Sequence, residues 1–242
     1  MPLISVITAA LNACDDLEWT VASVKHQTLT CEHIVVDGGS DDRTTDFLDS
    51  QGVKYVSEPD GGIADAMNKG IAMATGDYVI ALHAGDRFLA VDSAALAARY
   101  LTHDMASFSV VAGDRVIEAG PLRLKTEFFM TVPHQGLFIK RELFETIGAY
   151  DTFYKIGMDY DFMIRAMRAG KELRWVNMPL TYMQPGGVSS SRSWPDVKQR
   201  ITEFNHARMR HCTGTVQRLV LSAFWLAYLP FKYLRHVKPI TR

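Results

Sequence analysis

Two hydrophobic periods alternate along the first 90 residues. Residues 3–9 form a short, apolar, β-rich run, which predicts a strand. In residues 15–26, Leu17, Val21 and Val24 recur along one side, the spacing of an amphipathic helix. Residues 33–37 read as a buried strand, 43–49 as a short helix and 53–57 as a third strand. Residues 63–75 read as a helix with Gly76 as its stop, and 77–83 as a fourth strand. Strands alternating with helices predict right-handed crossovers and a mostly parallel, Rossmann-like α/β sheet with helices on both faces.

The second half is less regular. Residues 107–113 and 114–119 suit a strand pair, and 134–139 a strand leading into a helix from about Arg141. Residues 159–169 predict a helix with Phe162, Ala166 and Ala169 on one side and Gly170 at its end. Residues 185–191 read as a flexible loop and 194–211 as a polar helix. There is no internal repeat.

Composition narrows the class. With 242 residues, 48% apolar and 22% charged, the chain suits one large α/β domain. We expect residues 1–100 and 101–192 to form its two halves, and 193–242 a helical, basic tail. A net charge of −1 argues against a nucleic-acid partner. The charge is uneven, however: residues 204–242 carry seven Lys or Arg and no Asp or Glu. Such a basic tail suggests an anionic partner. Cys14, Cys31 and Cys212 have no metal-like spacing and cannot all pair, which fits a reducing compartment. The opening residues lack the basic region of a signal peptide, so a cytoplasmic location is expected.

Ligands of such sheets bind beyond the carboxyl ends of the strands. Polar residues cluster there: Asn12, then Asp37-Gly38-Gly39-Ser40-Asp41-Asp42, then Glu58-Pro59-Asp60-Gly61-Gly62, then His83-Ala84-Gly85-Asp86. Asp37 can accept hydrogen bonds from a ring N–H and a hydroxyl, or the segment can be a turn with a helix cap. Asp86 can hold a hard divalent cation, which needs only one or two protein carboxylates, or can be a turn residue. Asp159-Tyr160-Asp161 opens a helix, where the dipole favours carboxylates and is expected to lower their pKa.

Residues 3–12, 36–44, 58–68 and 76–88 together resemble the nucleotide-binding half of glycosyltransferase family 2. Pro133-His134-Gln135-Gly136, Gly148-Ala149-Tyr150-Asp151 and the segment from Asp159 to Arg165 resemble its acceptor-side half. The similarity covers roughly residues 3–190 and rests on the order and spacing of these motifs together. It implies the GT-A fold and an inverting, non-processive transfer of the bacterial type. Thr8, Asn12 and Asp37 would line the base and ribose pocket, with Asp65 and Asn68 near the nucleotide or sugar. Asp86 matches the metal-binding Asp of the family's Asp-x-Asp element, which implies Mg²⁺ or Mn²⁺. Asp159 matches the general base, and Asp161 is the reserve candidate. His134 and Gln135 would lie near the acceptor, and Arg192, with Ser189 and Ser190, in a loop over the diphosphate.

The chain departs from the pattern in places. Ala84 stands where the metal motif has its first Asp, and Met158 where the family has the Glu of its Glu-Asp pair. The Gln-x-x-Arg-Trp element of processive members is missing, which points to addition of one sugar. The family's habits suggest a UDP-sugar donor and a glycan or lipid-linked acceptor.

Residues 219–231 are a run of 13 mostly apolar residues with Pro230 near its end and Arg218, Lys232, Arg235 and Lys238 around it. A spanning helix needs about 20 such residues. The run is read as a helix that ends near Pro230 and lies on the inner face of the plasma membrane through residues 216–238, or packs on the domain or a partner subunit. Two other functions compete: a degenerate nucleotide-sugar-binding protein, and a sugar nucleotidyltransferase. Ala9-Ala10-Leu11-Asn12-Ala13 lacks the Gly-rich, basic stretch of the latter, and no Gly-x-Gly-x-x-Gly follows the first strand to suggest a dehydrogenase.

Overall fold

The computed structural model describes residues 3–122, 124–187 and 193–237. Its first half is built of β1 (Ile4–Ala10), α1 (Cys14–Lys25), β2 (Glu32–Asp37), α2 (Thr44–Gln51), β3 (Lys54–Ser57), α3 (Ile63–Met73) and β4 (Tyr78–Ala81). These four strands are parallel in the order β3-β2-β1-β4. Ile4, Val6 and Ile7 of β1 and Ile34, Val35 and Val36 of β2 are fully buried. Near-continuous apolar runs are what a parallel sheet covered on both faces requires. On α1, Leu17, Val21 and Val24 face the interior, as their spacing predicts. A Cβ on Gly70 of α3 would stand 2.3 Å from Ile7 Cγ2. The missing side chain thus lets α3 lie directly on the sheet.

The second half comprises β5 (Arg87–Phe88), α4 (Ser93–Ala98), β6 (Met105–Ala112), β7 (Arg115–Ile117), β8 (Leu137–Lys140), α5 (Glu142–Thr146), α6 (Met158–Arg168), β9 (Leu173–Met183), α7 (Trp194–Arg210) and α8 (Thr215–Val237), with single 3₁₀ turns at Leu124–Glu127 and His134–Gly136. It extends the same sheet to β3-β2-β1-β4-β8-β6-β9-β5, with β7 on β6. Here β4–β8, β8–β6, β6–β7 and β5–β9 are antiparallel and β6–β9 parallel. The parallel, doubly covered sheet expected from the sequence is the first half, and the second makes the whole a mixed α/β sheet. One core layer joins α3, α5 and α6 to the sheet through Met67, Ile71, Phe144, Phe162 and Met163. The other face is filled by Val24, Leu101, Phe108 and Phe138.

Several boundaries differ from the sequence reading. Helix α3 ends at Met73, with Ala74 extended. Gly76 is not its stop: its N–H donates to Ser5 Oγ (2.9 Å) and it packs against β1. His134–Gly136 is a 3₁₀ turn before β8, not the start of the strand. The eleven-residue β9 went unread because Pro179 interrupts its pattern, and Pro is confined to edges and irregularities of sheets. The β6–β9 register shifts on either side of Ser109, the partner of Pro179, which accommodates the ring. Nor does Pro230 end the last helix: α8 runs through it for 23 residues. No helix of the described residues is long and apolar enough to cross a membrane.

Candidate active site

A cavity of about 1140 Å³ opens beyond the carboxyl ends of β1 and β4. Asp86 forms part of its wall and Asp159 another. The loop after β4 holds Asp86 in place. Thr20 of α1 donates to the Asp86 carbonyl (2.7 Å) and accepts from the Gly85 N–H (2.9 Å). The Asp86 carboxylate accepts from the backbone of Gln184 (2.8 Å), just after β9, and of His83 (3.2 Å). Burial pushes its pKa up to about 6, against the opposing hydrogen bonds from Gln184, the Gln135 side chain and His83.

Asp159 sits in the first turn of α6, where its carboxylate accepts the Tyr160 N–H (2.7 Å). Its other oxygen lies 3.9 Å from His134 Nδ1. Burial raises its pKa to about 6, the Tyr160 and Asp159 N–H groups oppose this, and the charge of Glu203 adds to it. The lowering expected from the helix dipole is therefore outweighed by desolvation. A carboxyl group poised near neutral pH is suited to general-base work.

Between the two carboxylates the cavity wall carries two imidazoles. The rings of His83 and His134 stack with centroids 5.6 Å apart and planes 13° from parallel. His83 Nδ1 and both ring nitrogens of His134 have no hydrogen-bond partner. Burial lowers these groups to about 3 and about 4, so both rings are neutral at pH 7. Buried polar atoms are almost always paired. Three unpartnered nitrogens thus belong to two stacked imidazoles that line the cavity between Asp86 and Asp159.

The other sequence-selected residues are occupied within the protein. Thr8 is buried, donating to the Leu82 carbonyl (2.6 Å) and touching His33 (2.9 Å). Asp37 is fully buried and does not line the cavity; it accepts from the Ser40 N–H (3.0 Å), the Ser40 hydroxyl and Ser57 Oγ (2.6 Å). Asn12 adopts φ 50° and accepts the Asp41 N–H (3.0 Å). Together these bonds shape the loop from Gly38 to Asp42. Asp65 accepts the Gly61 N–H (3.0 Å) and pairs with Lys69 (3.4 Å). The Asn68 side chain spends both its groups on the Tyr150 backbone, at 2.8 and 3.0 Å. Asp161, the reserve base, is buried, in an ion pair with Arg165 and a hydrogen-bond contact with His211, each at 2.8 Å, and does not line the cavity. Gln135 lines the cavity beside His134. Arg192, Ser189 and Ser190 lie outside the described residues.

The structure adds residues that the sequence reading did not select. Asp16, Asp60, Glu118 and Lys155 also line the cavity. Its described walls thus hold five carboxylates, with Asp86 and Asp159, against one lysine. Asp60 lay within a recognised polar cluster, whereas Gln184 was hidden because β9 was. No group of three or more His, Cys, Asp or Glu side chains among the described residues could hold a metal by itself. The donor set does fit a cation that keeps waters and ligand oxygens. Asp86 has three hydrogen-bond donors against roughly four lone-pair sites, which leaves room for one cation contact. An acidic cleft would also repel a diphosphate unless a cation came with it.

Open α/β sheets of many functions place their ligand sites at the strand ends, and the comparisons with known proteins supply the class. Residues 5–172 match the model of glycosyl transferase family 2, and the chain belongs to that family. An uncharacterised glycosyltransferase of Mycobacterium tuberculosis, Rv1514c, is 40% identical, the match covering 68% of this chain and 69% of the relative. The PGL/p-HBAD biosynthesis glycosyltransferase Rv2957 of the same species is 31% identical, over 78% of this chain and 80% of that one. Among solved structures, the mannosyltransferase PcManGT of Pyrobaculum calidifontis, in complex with GDP-Man and Mn²⁺, superimposes with a TM-score of 0.73 at 18% identity, covering 98% of this chain and 73% of its own. TarS of Staphylococcus aureus in complex with UDP-GlcNAc gives 0.71 at 15% identity, over 93% and 71%. These neighbours share the GT-A fold, and the chain is a glycosyltransferase.

Proposed function

We propose that the protein transfers one sugar from a UDP-sugar to a hydroxyl of a glycan or lipid-linked acceptor, with inversion at the anomeric carbon. The observation that carries this reading is the presence of Asp86 and Asp159, far apart in the chain, on the wall of one cavity. Asp159 takes the proton from the acceptor hydroxyl as its oxygen attacks C1 of the donor sugar, and the bond from C1 to the diphosphate oxygen breaks. The neutral imidazoles of His83 and His134 accept from or donate to the sugar hydroxyls and hold the ring in line with the base. Asp86 would hold Mg²⁺ or Mn²⁺, which when bound offsets negative charge on the departing diphosphate. The Mn²⁺ in the PcManGT complex supports this reading. A thermal-shift series with UDP-, GDP- and dTDP-sugars, with and without Mg²⁺ or Mn²⁺, tests it. A UDP-sugar should raise the melting temperature only when cation is present. No shift with any nucleotide sugar in either condition would reject it.

The acceptor reading draws on α8. One side of this helix packs on the domain: Leu221 is buried and Phe224 lies 5.0 Å from Phe128 and 5.6 Å from Phe129. The other presents Val216, Leu219, Val220, Leu226, Phe231 and Leu234 to solvent, while Arg218, Lys232 and Arg235 lie beside and behind this stripe on the same helix. An exposed apolar stripe flanked by cations and free of acids suits the cytoplasmic face of a membrane rich in anionic lipid. There it would bring the cavity near a lipid-linked acceptor. Replacing both Leu219 and Leu226 by Asp should abolish sedimentation with phosphatidylglycerol vesicles; undiminished sedimentation would remove the membrane from the account.

A further inference from the structure

Glu203 stands on α7, beyond the segment that matches the family model, and no feature of the sequence marks it. It is nonetheless buried, at 8% exposure. Its carboxylate accepts three consecutive backbone N–H groups of the loop that leads into α6: Lys155 (3.3 Å), Ile156 (2.8 Å) and Gly157 (2.8 Å). Gln199, one turn earlier on α7, donates to the same carboxylate (3.0 Å). Donors just ahead of and at a helix start attract an anion because no helical carbonyl satisfies them. The contact is close as well as polar: a Cβ on Gly157 would meet Phe204 at 3.2 Å and Glu203 at 3.3 Å. Asp159 follows two residues later.

The position has a further meaning. The family's Glu-Asp pair is broken here by Met158, so the carboxylate that the pattern puts beside the base is gone. Glu203 returns a carboxylate to that neighbourhood from a different helix. We propose that Glu203 is the positioning residue of this active site: from α7 it clamps the start of α6 and so aims Asp159 into the cavity. The proposal rests on Asp159 being the general base.

The groups facing Asp159 can be named on each packed element. His134 lies 3.9 Å away on the turn before β8 and is neutral. Tyr150, whose own hydroxyl is pushed up by burial and by Asp159, precedes α6 and stays neutral. Lys155 lines the same cavity from the clamped loop, and Glu203 stands on α7. Of these, Glu203 is the group whose negative charge adds to the raised pKa of Asp159. Removing that charge lowers the pKa of the base, so the acid limb of the rate profile moves to lower pH.

The test compares Glu203→Gln and Glu203→Asp in the full chain. Both are measured for kcat, donor KM and the pH dependence of kcat, with the melting temperature followed alongside. Glu203→Gln should lower kcat by tenfold or more, leave donor KM within about twofold, and move the acid limb toward lower pH. Glu203→Asp keeps the charge but retracts it, so kcat falls while the acid limb stays near that of the parent. If Glu203→Gln does not fold, Gln199→Met, which removes one of the four donors to the carboxylate, must lower kcat at unchanged donor KM. An acid limb that Glu203→Gln leaves in place, or a kcat that neither Glu203→Gln nor Gln199→Met lowers, overturns the proposal. Full activity of Asp159→Asn would instead overturn the base assignment beneath it.

Discussion

The two sides of the cleft differ in how their polar groups are spent. On the β1–β2 side, Thr8, Asp37 and Asn68 are consumed by bonds to their own protein. On the side of β4 and α6, His83 and His134 leave three ring nitrogens unpaired, and the buried Asp86 and the partly buried Asp159 are held near a pKa of 6. On the first side these hydrogen bonds fix loop shape. The second is under-satisfied, a costly state for polar atoms. A residue's closeness to the cleft therefore does not reveal its role; what its polar atoms already touch does.

The sharpest way to break this contrast is to exchange the effects of the two sides. Asp159→Asn should lower kcat by roughly 10²–10⁴, the scale of general-base catalysis, with the fold intact and donor affinity retained. Steady-state kinetics beside a melting curve decide it; a loss of stability in place of rate would move Asp159 into the scaffold. Asn68→Ala should do the reverse. It orphans the Tyr150 N–H and carbonyl, at a cost of about 1–3 kcal/mol, and should lower the melting temperature by several degrees. Donor KM should hold, and a tenfold rise would return Asn68 to the binding site.

The smallest effect is on stability against pH. Asp86 and Asp159 have folded pKa values of about 6, raised above the ordinary 3.8. A carboxyl group raised on folding favours the folded state in its protonated form. Its contribution is fully present below about pH 4 and is lost as pH rises through 6. The cation-free protein should therefore gain stability from these two groups between pH 7 and pH 5, and the gain should shrink in the Asp86→Asn, Asp159→Asn double variant. An identical pH dependence in parent and double variant would contradict the assigned desolvation.

The sequence disclosed one half of the molecule better than the other for a physical reason. In the first half, strand and helix periods are clean, and the glycine-bearing strand ends stand where the sheet rule puts ligands. Asp86 and Asp159 were both legible there and at the start of α6. Pro179 disguised β9, and with it the turn carrying Gln184, because the β-bulge that absorbs proline is a tertiary accommodation. Nor could local pattern tell that Asp37 faces Ser40 and Ser57, that Asp161 is taken by Arg165 and His211, or that Glu203 reaches back to Gly157. Those are pairings between distant segments. The dipole argument for Asp159 was sound locally and was outweighed by burial, which only the fold supplies.

The central claim is that the under-satisfied side binds a nucleotide diphosphate through a cation that Asp86 holds. Calorimetric titration of UDP into the parent protein and into Asp86→Asn, each with Mn²⁺ and with EDTA, tests it most directly. The account predicts binding by the parent in Mn²⁺, and at least a tenfold weakening both in EDTA and in the variant. Equal UDP affinity in all four titrations would contradict it.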